Sequence, residues 1–117
     1  MIDDEFTNRV FFKQSCKHLG HACDVAVEGP PGIKMVLDRI KLIKKSEGAI
    51  VNYKIIFIDY NMPQMLGTKV ACEISKLYTE FNVELPKMFC CSAEDDSPRF
   101  RQAVSDSGMK AALSKPI

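Results

Sequence analysis

Helical and strand patterns alternate along this chain, which predicts an α/β domain built on a parallel sheet with helices on both faces. Two unbroken apolar runs, Ile55 to Ile58 and Met88 to Cys91, have the β-branched and aromatic character of strands buried on both sides. Between and around them lie amphipathic stretches with apolar residues at helical spacing, and Gly or Pro punctuates the connections. The order reads helix, strand, helix, strand, helix, strand, helix, strand after a two-residue stub. Parallel strands need crossover connections, and helices supply them.

The elements follow in order. Asp3, Asp4 and Glu5 form an acidic cluster suited to a loop or a helix start, where negative charge meets the positive end of the helix dipole. Phe12, Cys16 and Leu19, widened by Val10 and Phe11, predict a first helix from Phe6 to Leu19 that Gly20 stops. Ala22 to Val27 alternates loosely and predicts a short strand before the break at Glu28-Gly29-Pro30-Pro31-Gly32. Ile33, Val36, Leu37, Ile40 and Ile43 predict a second helix, with Pro30 or Pro31 in its first turn and a solvated face of lysines opposite. Ser46 to Tyr53 is a surface loop.

The strand from Ile55 ends on Asp59, Pro63 stops the strand pattern, and Gly67 precedes a third helix carrying Val70, Ala71, Ile74, Leu77, Tyr78 and Phe81 on one stripe. Lys87 to Ala93 is the next strand. Asp95, Asp96, Ser97 and Pro98 are helix-start signals, with Ser97 as N-cap and Pro98 at the first helical position. Phe100, Ala103 and Val104 give the fourth helix a short apolar face that Gly108 closes. Ala111 to Ser114 predicts a last short strand, before Lys115-Pro116-Ile117.

The totals narrow the function. A chain of 117 residues has room for one core, so the expectation is a single domain over 1–117. A net charge of +1 offers no electrostatic basis for direct nucleic-acid or anionic-membrane binding. The five cysteines are odd in number and show no C-x-x-C spacing, the pattern of reduced thiols in a cytoplasmic protein. No apolar run reaches the length of a membrane span, and the acidic start is unlike a signal peptide.

Parallel strands share a C-terminal edge, which is where open α/β sheets bind ligands. Asp3 and Asp4 follow the stub, Asp59 follows the central strand, Ser92 the next, and Lys115 the last. Crowded carboxylates repel unless a cation neutralises them, and hard oxygen donors favour Mg²⁺ or a similar ion. A lysine and a hydroxyl beside such a site meet the needs of phosphoryl transfer, with Asp59 as the nucleophile that forms an acyl phosphate.

These residues resemble the receiver domain of two-component response regulators, a flavodoxin-like doubly wound fold. The matching motifs are Asp3-Asp4-Glu5, Asp59-Tyr60-Asn61-Met62-Pro63 with Met65 and Gly67, Ser92-Ala93-Glu94, and Gly108 with Lys115-Pro116, in the family's order across the whole chain. The resemblance implies that Asp59 accepts a phosphoryl group from a histidine kinase or histidine phosphotransfer protein. It implies Mg²⁺ held by Asp4, Asp59 and the backbone carbonyl of Asn61, with Asp3 acting through water. Ser92 and Lys115 would contact the phosphoryl oxygens and bias a partner-binding surface between two states. Pro63, Gly67 and Pro116 would shape the supporting loops.

The family's first strand is normally complete and a fifth helix follows its Lys-Pro pair. Here only Met1 and Ile2 stand for that strand, and the sequence stops at Ile117. The resemblance therefore implies a receiver incomplete at both ends, one module of a longer protein carrying a kinase or output domain. Ala112 stands where the family often has an aromatic switch residue. Two other readings remain beside this one. The first is an interaction module that keeps the fold without phosphorylation. The second is a phosphohydrolase with an aspartyl nucleophile, which would need an acid two residues after Asp59, where this chain has Asn61. The expectation is a signalling module and not an enzyme.

Overall fold

A computed structural model describes residues 1–93 and 97–115. Glu94, Asp95, Asp96, Pro116 and Ile117, which the sequence reading placed in motifs or at a helix start, lie outside the described residues. The elements are α1 (Phe6–His18), α2 (Gly29–Lys45), β1 (Ile55–Asp59), α3 (Gly67–Glu80), β2 (Lys87–Ser92), α4 (Pro98–Asp106) and β3 (Ala111–Ser114).

Their ends follow local chemistry. α1 stops where Gly20 takes a φ of +81°, a left-handed conformation that costs glycine nothing. α2 starts with the Glu28 side chain accepting from Gly29 N–H and with proline in its first turn, where a missing N–H leaves no bond unmade. Ser97 caps α4 by accepting from the Phe100 N–H at 3.2 Å, and Pro98 follows it.

β1, β2 and β3 form a parallel sheet in that order, with Phe57 beside Phe89 and Cys90 beside Ala112. Ile2 extends the sheet past β1 by bridging to both Ile58 and Ala26, all in parallel sense. The spatial order is thus the Ala26 segment, the Ile2 segment, β1, β2, β3, the 2-1-3-4-5 order of flavodoxin-like sheets with the two members at one edge reduced to bridges. The expected strand from Ala22 to Val27 shrinks to Ala26. Among the described residues its backbone pairs with Met1 to Asp3 through three bonds, the Met1 amino group to Asp24 O (2.8 Å), Ala26 N–H to Met1 O (2.9 Å) and Asp3 N–H to Ala26 O (3.1 Å), too few to extend a ladder.

The two faces of the sheet are unequally covered. Side chains alternate across a strand, so Ile56 and Ile58 face one way and Phe57 the other. On the first face, α2 and α3 close over a core of Ile2, Val36, Ile40, Ile58, Val70, Ile74, Tyr78 and Met88, all fully or nearly fully buried. Gly32 lets α2 lie directly on Ile2, since a Cβ there would stand 2.5 Å from Ile2 Cδ1. On the second face Phe57 stacks on Phe89, and Phe12 of α1 meets Phe57 edge to face at 5.1 Å. α1 buries no residue completely and leaves Phe6 and Phe11 exposed, as is Leu19 just past its end.

One contact couples this packing to the edge that carries the acidic residues. A Cβ on Gly67 would lie 2.4 Å from the carbonyl oxygen of Asp59 and 2.9 Å from Tyr60 Cα, both backbone atoms that cannot swing aside. Gly67→Ala is expected to destabilise the fold by about 1–3 kcal/mol, as overpacking does. It would also push the loop after Asp59 off the Gly67 N–H to Tyr60 O bond (2.8 Å). Urea denaturation reads the effect, and an unchanged midpoint would show that the loop tolerates the methyl.

Candidate functional site

The stub holds its place by backbone bonds on both sides. Ile2 N–H donates to Phe57 O (2.8 Å) and Asp59 N–H donates to Ile2 O (2.9 Å), so residues 2 and 59 are pinned edge to edge despite the shortness of the stub. That pairing delivers Asp3 and Asp4 beside Asp59. Carboxylate oxygens of Asp3, Asp4 and Asp59 all lie within 4.8 Å of one another. From the opposite edge, Lys115 N–H donates to Ser92 O (3.0 Å) just past β3, which aims the side chain inward. Lys115 Nζ reaches Asp59 Oδ1 at 2.6 Å and Asp3 Oδ2 at 3.6 Å.

The charges are mostly removed from water. Asp3 is fully buried and Asp59 nearly so, while Lys115 keeps about a fifth of its side chain exposed at 21%. Asp3 is held by its own surroundings: Oδ1 accepts from the Glu5 N–H (2.9 Å) and Oδ2 from Asn8 Nδ2 (3.2 Å). Arg9 donates to its backbone carbonyl at 2.9 Å. Asn8 and Arg9 were not singled out in the sequence, although their place in the first turn of α1 turns them back toward the residues just before it.

Burial pushes the Asp59 carboxyl up to about 6, and the charge of Asp3 and a contact with Asp4 add to the rise against the lowering effect of Lys115. Burial pulls Lys115 down, but its contact with Asp59 and the charges of Asp3, Asp59 and Glu5 outweigh that and raise it. Next to the site, burial pushes the Cys90 and Cys91 thiols up to about 12, so both are neutral and poor nucleophiles. Among the described residues all five cysteines are free thiols.

Three carboxylates sharing one lysine are undercompensated, and hard oxygen donors at this spacing suit an octahedral divalent cation. The residues present therefore fit the expected metal. The raised Asp59 carboxyl carries a pH signature. The folded chain retains a proton that the unfolded chain releases near 3.8, so this contribution to stability is full below that value and is lost as pH rises through about 6. The metal-free wild type is expected to lose stability relative to Asp59→Asn between pH 4 and 7, as read from urea midpoints. Mg²⁺ should restore more at pH 7.5 than at pH 5, because cation and proton compete for the same oxygens. Equal restoration at both values would mean that Mg²⁺ does not bind these carboxylates.

The other expected positions fall around this centre. Ser92 is buried at the end of β2, on the carbonyl side of the Lys115 bond. Asn61 and Pro63 are exposed on the loop after β1, with Met62 between them buried. Gly67 closes that loop against Asp59.

An acidic cluster and a lysine thus converge at the C-terminal edge of a 2-1-3-4-5 parallel sheet, and the solved receiver domains to which this chain is similar have the same fold. The receiver domain of the histidine kinase CKI1 from Arabidopsis thaliana, complexed with Mg²⁺ and BeF₃⁻, superposes with a TM-score of 0.88 at 22% identity, over 97% of this chain and 77% of that one. The chemotaxis protein CheY4 of Vibrio cholerae gives 0.73 at 19% identity, over 99% of this chain and 83% of that one. Among curated proteins, hybrid signal transduction histidine kinase F of Dictyostelium discoideum is 33% identical over 82 residues, 70% of this chain and 6% of the kinase. Probable histidine kinase 2 of Oryza sativa subsp. indica is 26% identical over 121 residues, all of this chain and 11% of the kinase. The chain thus spans a small fraction of the curated relatives it matches. No family profile matches it. The chain has the flavodoxin-like receiver fold that the sequence motifs implied.

Proposed function

We propose that this chain is a phosphoacceptor receiver domain of a two-component phosphorelay. The observation that carries the reading is the 2.6 Å contact of Lys115 with Asp59 inside a group of three carboxylates. An Asp59 oxygen attacks the phosphorus of a phosphohistidine whose other ring nitrogen is protonated, the P–N bond breaks, and its electron pair stays on the ring, which leaves as neutral imidazole. Asp59 becomes the acyl phosphate. Lys115 then turns from a carboxylate partner into a partner for a phosphoryl oxygen, and the Ser92 hydroxyl donates to another. Asp4, Asp59 and the Asn61 carbonyl would hold Mg²⁺, with Asp3 acting through water, and the ion supplies charge neutralisation for the phosphoryl oxygens.

The donor is a histidine kinase or histidine phosphotransfer protein, and the chain is one module of a longer protein with a kinase or output domain. The similarity to short stretches of much longer histidine kinases supports both statements. The surroundings are cytoplasmic, in keeping with free cysteines and with no helix among the described residues long and apolar enough to cross a membrane. Turnover as a phosphohydrolase is disfavoured because Asn61 offers no proton to a leaving group. The test is incubation with a small phosphodonor and Mg²⁺, which should place one acid-stable, base-labile phosphoryl group on the chain. A chelator should prevent it, and labelling that ignores the chelator would remove the metal from the reading.

A further inference from the structure

α4 is attached to the domain unevenly. Its C-terminal end is anchored by Val104, Ser107 and Met109, each at most 4% exposed. From Ser97 to Ala103, Phe100 is the one residue that is not exposed. Its ring meets the Tyr60 ring edge to face, with centroids 4.9 Å apart at 88°. Tyr60 directly follows Asp59, and its backbone is bonded at both polar groups: its N–H donates to Cys91 O (3.0 Å) and its carbonyl accepts from Gly67 N–H (2.8 Å). The first half of α4 therefore rests on the residue next to Asp59. β3, which runs Ala111-Ala112-Leu113-Ser114, offers no aromatic ring to take this role.

We propose that the Tyr60–Phe100 ring pair couples the loading of Asp59 to the position of the first half of α4, so that the exposed face around Arg99 and Arg101 is the surface that responds. The inference rests on Asp59 being the phosphoacceptor. A phosphoryl group entering between Asp59 and Lys115 must open their 2.6 Å contact. Asp59 is fixed to Ile2 on one side and continues into Tyr60 on the other, so displacement passes along the chain to the ring. An edge-to-face pair has a narrow optimum, and a small shift of one ring loses it. The helix start then loses its one covered side chain while Val104 keeps the other end in place. Tyr60 and Phe100 are positioning residues.

The test loads the intact chain with beryllofluoride and Mg²⁺, follows loading by the ¹⁹F signal of bound fluoride, and measures amide exchange across residues 98–103. In the wild type, loading should change exchange there by about 2- to 10-fold, the range an aromatic pair contributes. Tyr60→Leu and Phe100→Leu keep apolar bulk without a ring; both should load normally and show less than about a twofold change. Tyr60→Phe should behave as wild type, which a role confined to the tyrosine hydroxyl would not allow. A wild-type response that persists in both leucine variants overturns the coupling, as does a loaded wild type with no change in α4. A wild type that does not load at all instead overturns the assignment of Asp59, and the coupling falls with it.

Discussion

Asp59→Asn should abolish phosphoryl incorporation while leaving the fold intact. The amide has the shape of the carboxylate, but its oxygen lacks the negative charge that makes it a nucleophile toward phosphorus. The neighbourhood tolerates the change because Lys115 still has Asp3 at 3.6 Å and the backbone bond from residue 59 to Ile2 O does not depend on the side chain. Relief of crowding between buried carboxyls also favours the variant at neutral pH, by the sign worked out above. Labelling with a small phosphodonor, read beside circular dichroism, separates loss of chemistry from loss of structure. Label persisting in Asp59→Asn would mean that Asp3 or Asp4 is the acceptor.

Lys115→Ala should produce the largest loss of stability. It strands Asp3 and Asp59, at 0% and 4% side-chain exposure, without the lysine that touches both. Breaking a buried pair by removing one member typically costs about 3–5 kcal/mol, because the charge left behind is uncompensated. The loss should be greatest without metal at pH 7.5. It should shrink at pH 5, where Asp59 takes up a proton, and on addition of Mg²⁺. Lys115→Arg keeps the charge and should recover much of the stability. Phosphoryl transfer should also slow by about 10²–10³-fold, the usual cost of one preorganised donor to a developing oxyanion. Urea midpoints across pH and metal decide the matter; a Lys115→Ala protein as stable as wild type in metal-free buffer at pH 7.5 would show that the pair is not what neutralises the site.

Much of this site was legible in the sequence because its residues sit at the ends of elements that the sequence marks clearly. The apolar run from Ile55 to Ile58 has the character of a strand buried on both faces, and a carboxylate closing it is costly to bury and so points to the sheet edge; the strand forms there, with Ile56 and Ile58 buried, Phe57 partly covered and Ile55 exposed at its start. Lys115 and Ser92 were placed by the same logic. The helices were legible where apolar spacing was dense: Val36 and Ile40 in α2, Val70, Ile74 and Tyr78 in α3, all buried as expected. The strand from Ala22 to Val27 was not legible as a single bridge, since its length is set by the stub beside it and not by its own residues. Asn8 and Arg9 were missed because a polar residue on a helix start reads as solvated until the backbone it bonds to is known.

The sequence by itself determined the order of elements, the parallel sense of the sheet and the residues that reach its C-terminal edge, because periodicity and turn chemistry are local. Only the tertiary structure decided whether a two-residue stub could bring Asp3 and Asp4 against Asp59. It does so through backbone bonds to Phe57, Asp59 and Ala26 that no side-chain pattern encodes. The tertiary structure also decided that α4 leans on Tyr60 through Phe100, a contact between residues forty positions apart that depends on how the helix lies over the sheet edge. Hydrogen bonds of the main chain and the packing of distant rings are indifferent to local sequence, which is why these two features became visible only in the folded chain.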